Sequence, residues 1–149
     1  MYIHARSISA VFFALGMTLA AAVSAQTPVQ RSPSNLTIRW LGSMTVSPAV
    51  ATAGTKLAGT VKLMRPAVSD MRLGLGLVGG TAVEGAGFVL DGVIVPQYVT
   101  VPAGKDRATF GITTSGAATW VGTKKFTATA AYSSEHLSAD FSVNRIASR

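Results

Sequence analysis

Cysteine is absent from this 149-residue chain, so no disulfide staples the fold and no thiolate can serve as nucleophile or metal ligand. Histidine is nearly absent too, with His4 close to the start and His136 close to the end. One imidazole in the body of the chain is too few for an ordinary zinc or copper site. No metal or other cofactor is therefore expected. Acidic residues number only six against 13 Lys and Arg, a net charge of +7. Aromatics make up 7% of the chain, which excludes a core built mainly on rings. After residue 25 no convincing amphipathic helix pattern occurs, and Gly and Pro break the remaining sequence into short pieces.

What is present starts with an export signature. Met1–Arg6 is short and weakly basic, Ile8–Val23 is apolar, and Val23-Ser24-Ala25 offers small residues for a signal peptidase. Residues 1–25 are expected to be a helical signal peptide, with a mature chain starting at Gln26. The rival, a retained anchor, needs about 20 apolar residues, and this run is shorter. No cysteine follows, which argues against a lipid-anchored form. Residues 26–35, with Pro28 and Pro33, read as a flexible leader. Residues 36–145 are expected to form one domain, large enough to bury a core unaided. Losing Arg6 with the signal lowers the balance to +6.

Alternation with a period of two then dominates. Leu57, Gly59, Val61 and Leu63 share one face of Lys56–Leu63, with Lys56, Ala58, Thr60 and Lys62 on the other. The same pattern recurs in Met71, Leu73, Leu75 and Leu77; in Ala108, Phe110 and Ile112; in Phe126, Ala128, Ala130 and Tyr132; and in Leu137, Ala139, Phe141 and Val143. Leu36, Ile38 and Trp40 fall on one face of an opening strand, and Tyr98–Val101 lies between Pro96 and Pro102. Ser133-Ser134-Glu135 reads as a hairpin loop. Gly79–Gly92, with five glycines, is the least legible part; short strands at Phe88–Leu90 and Val93–Val95 fit it. Seven to eight short strands separated by turn signals argue for an all-β two-sheet sandwich, with a small barrel as the competing closure. Trp40, Phe110, Phe126 and Phe141 are the expected aromatic core, while Trp120 falls in a loop.

Three segments carry a resemblance. Thr45-Val46-Ser47-Pro48, running through Ala53-Gly54 to Gly59-Thr60-Val61-Lys62-Leu63, resembles the opening of bacterial immunoglobulin-like modules of secreted and cell-surface proteins. Tyr98-Val99-Thr100-Val101-Pro102-Ala103-Gly104 and Ala108-Thr109-Phe110-Gly111-Ile112-Thr113-Thr114 resemble their middle. Lys125–Tyr132 and Leu137–Val143 resemble their closing hairpin. The resemblance spans about residues 45–144 and implies an immunoglobulin-like Greek-key sandwich used as a spacer, adhesive or accessory domain, without catalytic residues. Gly79–Gly92 departs from the polar segment usual there, so that edge is expected to be rebuilt.

Candidate chemistry is thin. Gly74-Leu75-Gly76-Leu77-Val78-Gly79 is a formal G-x-G-x-x-G, but the glycines that follow cannot open the helix a pyrophosphate needs. Ser133 or Ser134 with His136 and Asp140 could be imagined as a nucleophile and its base. Strand parity, however, puts His136 and Asp140 opposite the apolar set, facing water. Glu84 and Asp91 flank the glycine-rich stretch and are too few to cage calcium. The expected function is accordingly non-enzymatic: a secreted or periplasmic module, associated with the cell surface, that acts in binding another envelope or extracellular protein, in adhesion or in envelope structure. The alternative is a basic envelope protein binding polyanions (polysaccharide, lipid head groups or nucleic acid), with Arg65, Arg72, Lys105, Arg107, Lys124 and Lys125 as the candidate contacts. A hydrolase ranks last. No stable membrane span is expected once the signal is removed.

Overall fold

Alternation in the sequence becomes alternation in burial. The computed structural model describes residues 38–116 and 120–146, and these contain eleven strands and no helix. They are β1 (Leu41–Ser47), β2 (Val50–Thr52), β3 (Lys56–Leu63), β4 (Met71–Leu77), β5 (Thr81–Val83), β6 (Gly87–Leu90), β7 (Val93–Val95), β8 (Tyr98–Val101), β9 (Arg107–Thr114), β10 (Gly122–Tyr132) and β11 (Glu135–Arg145). The expected signal peptide and leader lie outside the described residues.

The strands form two sheets. One runs β1-β3-β9-β7-β6-β5 and the other β2-β11-β10-β4-β8. Read against the strand lettering of immunoglobulin domains, β1-β3-β9-β7 is the A-B-E-D order and β4-β10-β11 is C-F-G. The connections β3 to β4, β8 to β9 and β9 to β10 each change sheet, as Greek-key wiring requires. All pairings are antiparallel except β2 on β11, where Val50, Ala51 and Thr52 lie opposite Ser142, Val143 and Asn144. The fold is therefore an immunoglobulin-like β-sandwich. The barrel closure is not adopted, because each sheet ends in two edge strands.

Inward faces of the long strands make the core. Leu57, Val61 and Leu63 of β3 and Leu73, Leu75 and Leu77 of β4 are buried in one core cluster with Phe126 of β10 and Phe141 of β11. Phe126 and Phe141 are directly paired across β10 and β11, their rings stacked at 5.6 Å and 22°. Burying two such rings supplies area and geometry together. Opposite Phe110 on β9 stands Gly59, and a β-carbon there would collide with the Phe110 ring. A glycine here leaves the space that an aromatic neighbour fills. Thr114 is the one buried polar residue among those described; its hydroxyl donates to Thr55 O at 2.7 Å and accepts from Gly54 N at 3.0 Å.

Two expectations need correction. Trp40 was expected in the core with Leu36 and Ile38 on the same face. It instead precedes β1 and is half-buried at the rim, and Ile38 is 54% exposed. The reason is a register shift between Leu41 and Ser43, which reverses strand parity so that Leu41 turns inward ahead of Met44 and Val46. Two strands beyond the expected set, β2 and β5, are each only three residues long. Finally, the hairpin loop is tighter than Ser133-Ser134-Glu135: Ser133 adopts φ 55° and Glu135 already belongs to β11. Gly79–Gly92 is rebuilt as a β5–β6 hairpin that leads into β7 and lengthens one sheet.

Candidate functional site

Charged and aromatic side chains gather at the two ends of the sandwich. At the first end β3 runs out, β9 begins, and β1 starts with Leu41 opposite Leu63. Here Lys62, Met64, Arg65 and Pro66 from one side, and Gly104, Lys105 and Asp106 from the β8–β9 turn, line an open cleft of about 350 Å³. Backbone bonds pin its walls. Gly104 N donates to Ala67 O at 2.7 Å, Ala67 N to Lys105 O at 2.8 Å, and Leu63 N to Asp106 O at 2.6 Å. Asp70 Oδ1 accepts from Ala103 N at 2.9 Å, which fixes the turn that carries Lys105.

A relay of contacts holds Arg65. Glu135, at the start of β11, accepts from Trp40 N at 2.9 and 3.0 Å and from Leu41 N at 2.7 Å, joining the starts of strands in opposite sheets. Tyr132 meets the Trp40 ring edge-on, 6.4 Å between centroids at 76°. The Arg65 guanidinium carbon lies 4.2 Å from the centroid of the same indole. A cation over an indole face is favourable and restricts the side chain's rotamers. The Glu135 carboxyl is held below the usual carboxylate range, chiefly by the Leu41 N–H, which outweighs the opposing cost of desolvation, and further by the Trp40 N–H and the nearby Arg39.

Asp106 is the carboxylate of the cleft, and Arg107 engages it at 3.1 Å. That hydrogen bond, with a lesser pull from Arg107 and Lys62 charges, lowers the Asp106 carboxyl below its ordinary value. Lys62 and Arg107 stand directly opposite one another on β3 and β9, a like-charge pair that Asp106 relieves. Arg65 and Lys105 have no carboxylate within salt-bridge distance among the described residues.

At the opposite end Lys124 is ion-paired with Asp91 and sits 6.0 Å over the Phe126 ring. Asp91 takes φ 49° in the β6–β7 turn, and the Trp120 indole N–H donates to its carbonyl at 3.5 Å. Trp120 is half-buried against Phe126, as its loop position suggested.

The six candidate polyanion contacts thus divide. Arg65 and Lys105 come together in the cleft, with Arg107 beside them but bound to Asp106. Arg72, on β4 in the other sheet, packs on Tyr98 with its guanidinium carbon 3.4 Å from the ring centroid. Lys124 is neutralised by Asp91, and Lys125, one residue on along β10, is exposed. Sequence reasoning missed Lys62 as a cleft residue and Trp40 as the platform under Arg65. Only the cross-strand pairing of Lys62 with Arg107 could have signalled the first.

The other candidates stay apart. His136 and Asp140 are exposed on the outer face of β11, four residues and so about 13 Å apart along the strand. Asp140 accepts from the Thr127 hydroxyl at 2.7 Å instead. Glu84 and Asp91 sit in turns at opposite ends of β6. Gly74 and Gly76 lie on the outward side of β4, and the chain continues from Gly79 into β5, a strand. Among the described residues no three of His, Cys, Asp and Glu cluster as metal ligands, and no buried polar side-chain atom lacks a partner. No described helix is long and apolar enough to cross a membrane.

No protein-family model matches the chain, and no curated protein matches it in sequence. Among solved structures it is similar to the D00-D0 domain of Intimin, with TM-score 0.48 and 15% identity over 71% of this chain and 48% of that one. It is also similar to a chain of a chaperone–tip adhesin complex of CFA/I fimbriae biogenesis, with TM-score 0.42 and 13% identity over 72% of this chain and 57% of that one. The chain spans about half the length of the solved chains it resembles. Its class, an immunoglobulin-like β-sandwich, is defined by its own strand order.

Proposed function

We propose that the chain is a non-enzymatic immunoglobulin-like binding module that recognises another envelope or extracellular protein by its rim. Export rests on the Met1–Ala25 sequence, and the recognition role rests on one observation: β5 is an edge without proline, bulge or charge. Soluble proteins protect the outer strands of sheets with proline, bulges or charge, because unpaired backbone invites pairing with another chain. β1 carries a register shift and runs into Pro48, β2 follows Pro48, and β8 is bracketed by Pro96 and Pro102. β5, Thr81–Val83, is blunted only by its length of three residues; it has no proline, bulge or charge, is exposed at every residue, and pairs with β6 alone among the described strands. An extended segment of a partner could add there by backbone hydrogen bonding.

The test is co-purification from the native envelope with the intact chain and with Thr81→Lys/Val83→Lys, exposed substitutions that place charge on the edge. A defined partner retained by the native chain and lost by the variant supports this reading. No partner at high protein concentration, or equal retention by both, contradicts it.

A further inference from the structure

We infer that the cleft formed by Lys62, Arg65 and Lys105 is an anion-binding site for sulfate or carboxylate groups of an acidic polysaccharide. This does not depend on the β5 edge, which lies at the far side of the same sheet, four strands from β3. Three cations from three segments converge: the end of β3, the loop after it, and the β8–β9 turn. Their convergence is built into the backbone, since the Ala67–Lys105, Ala67–Gly104 and Leu63–Asp106 bonds hold loop and turn together.

Charge in the cleft is left over. Asp106 is the one carboxylate that lines it, and its oxygens are engaged by Arg107 from outside. Arg65 is held on the Trp40 face, a position that leaves the N–H edge of its guanidinium for an incoming anion. Planar, bidentate capture of a carboxylate or sulfate by a pre-positioned guanidinium gives short, charge-assisted hydrogen bonds. Backbone amides of Leu63, Met64, Gly104 and Lys105 are committed to carbonyls, which leaves the side-chain cations as the charged donors of the cleft.

The surroundings favour a sugar polymer over nucleic acid. Single-stranded nucleic acid is gripped by bare aromatic faces on which bases stack. Here a face of Trp40 is covered by Arg65 and its neighbourhood is filled by Tyr132. Exposed Met64 and Pro66 beside the cations instead offer apolar surface to the C–H groups of a sugar. The cation count is three in a compact site rather than a long track of phosphate contacts.

Binding of the full chain to dextran sulfate, polygalacturonate, uncharged dextran and single-stranded DNA tests the assignment at low and physiological salt. The native chain should bind the first two and not uncharged dextran, with affinity falling as salt rises. Arg65→Gln/Lys105→Gln should weaken binding by about tenfold or more and flatten the salt dependence. Lys56→Gln/Lys125→Gln, the same charge change at exposed sites elsewhere, should cost less than about threefold. Lys105→Gln alone, in an exposed turn, repeats the test with the Trp40 platform intact and should lose part of the affinity. Equal losses in the two double variants would mean diffuse charge only and overturn the site. DNA binding as tight as the polysaccharides, or no binding by the native chain, would overturn it as well.

Discussion

The molecule sets a cation over an aromatic ring at both ends, and the two arrangements differ in what completes them. Lys124 over Phe126 is closed by Asp91, and its ring is a core residue stacked on Phe141. Arg65 over Trp40 has no carboxylate partner among the described residues, and its ring is a half-buried rim residue propped by Tyr132 and Glu135. The same two ingredients therefore serve structure at one end and leave unspent charge at the other. Burial of the ring and the presence of a carboxylate decide which role a cation–aromatic contact takes.

The sharpest way to break the comparison is to remove each ring. Phe126→Ala should destabilise the fold by about 3–5 kcal/mol in urea unfolding, as large-to-small changes in a packed core do. Trp40→Ala should cost only about 1–2 kcal/mol, because a half-buried ring removes less surface from water, while freeing Arg65 to wander. Equal losses would mean that Trp40 is core after all.

Glu135 gives a smaller, pH-dependent effect. Its carboxyl is held low in the folded chain by the Leu41 and Trp40 N–H groups, so the stability it contributes is present above the ordinary glutamate range. That contribution is lost as pH falls through the folded value. Glu135→Gln should therefore be less stable than the native chain at pH 7, with the gap closing below about pH 4 in denaturation measured across pH. A gap that persists unchanged into acid would show that the carboxylate is not the clamp. The smallest effect belongs to the closed end. Asp91→Asn keeps a side chain that tolerates the φ 49° backbone and should change stability by less than about 1 kcal/mol, as surface ion pairs do. It should also raise affinity for dextran sulfate slightly, by turning a closed cation into an open one.

Much of this fold is legible in the chain because half-buried strands write their two faces as alternating residues. Lys56–Leu63, Met71–Leu77 and Tyr98–Val101 have the boundaries that parity and flanking prolines indicate. What escapes is decided by partners rather than by periodicity. Trp40 shares parity with Val46, yet one register shift near Gly42 turns it out of the core. β2 and β5 are three residues each, too short for any period to show, and exist because β11 and β6 lie alongside. The candidate site is legible only as a surplus of basic residues. Which of them meet is set by loop-to-turn backbone bonds, so Lys62 joins Arg65 and Lys105 while Arg72, Lys124 and Lys125 go elsewhere.

Backbone and indole NMR of the isotope-labelled chain, titrated with a short sulfated oligosaccharide, puts the difference between the two ends to the test in one spectrum series. Shifts should concentrate at the Trp40 indole, Lys62–Arg65 and Gly104–Asp106, while Trp120, Lys124 and Phe126 stay in place. A footprint centred on Lys124 and Lys125, or spread evenly over both ends, would contradict the assignment of recognition to the open one.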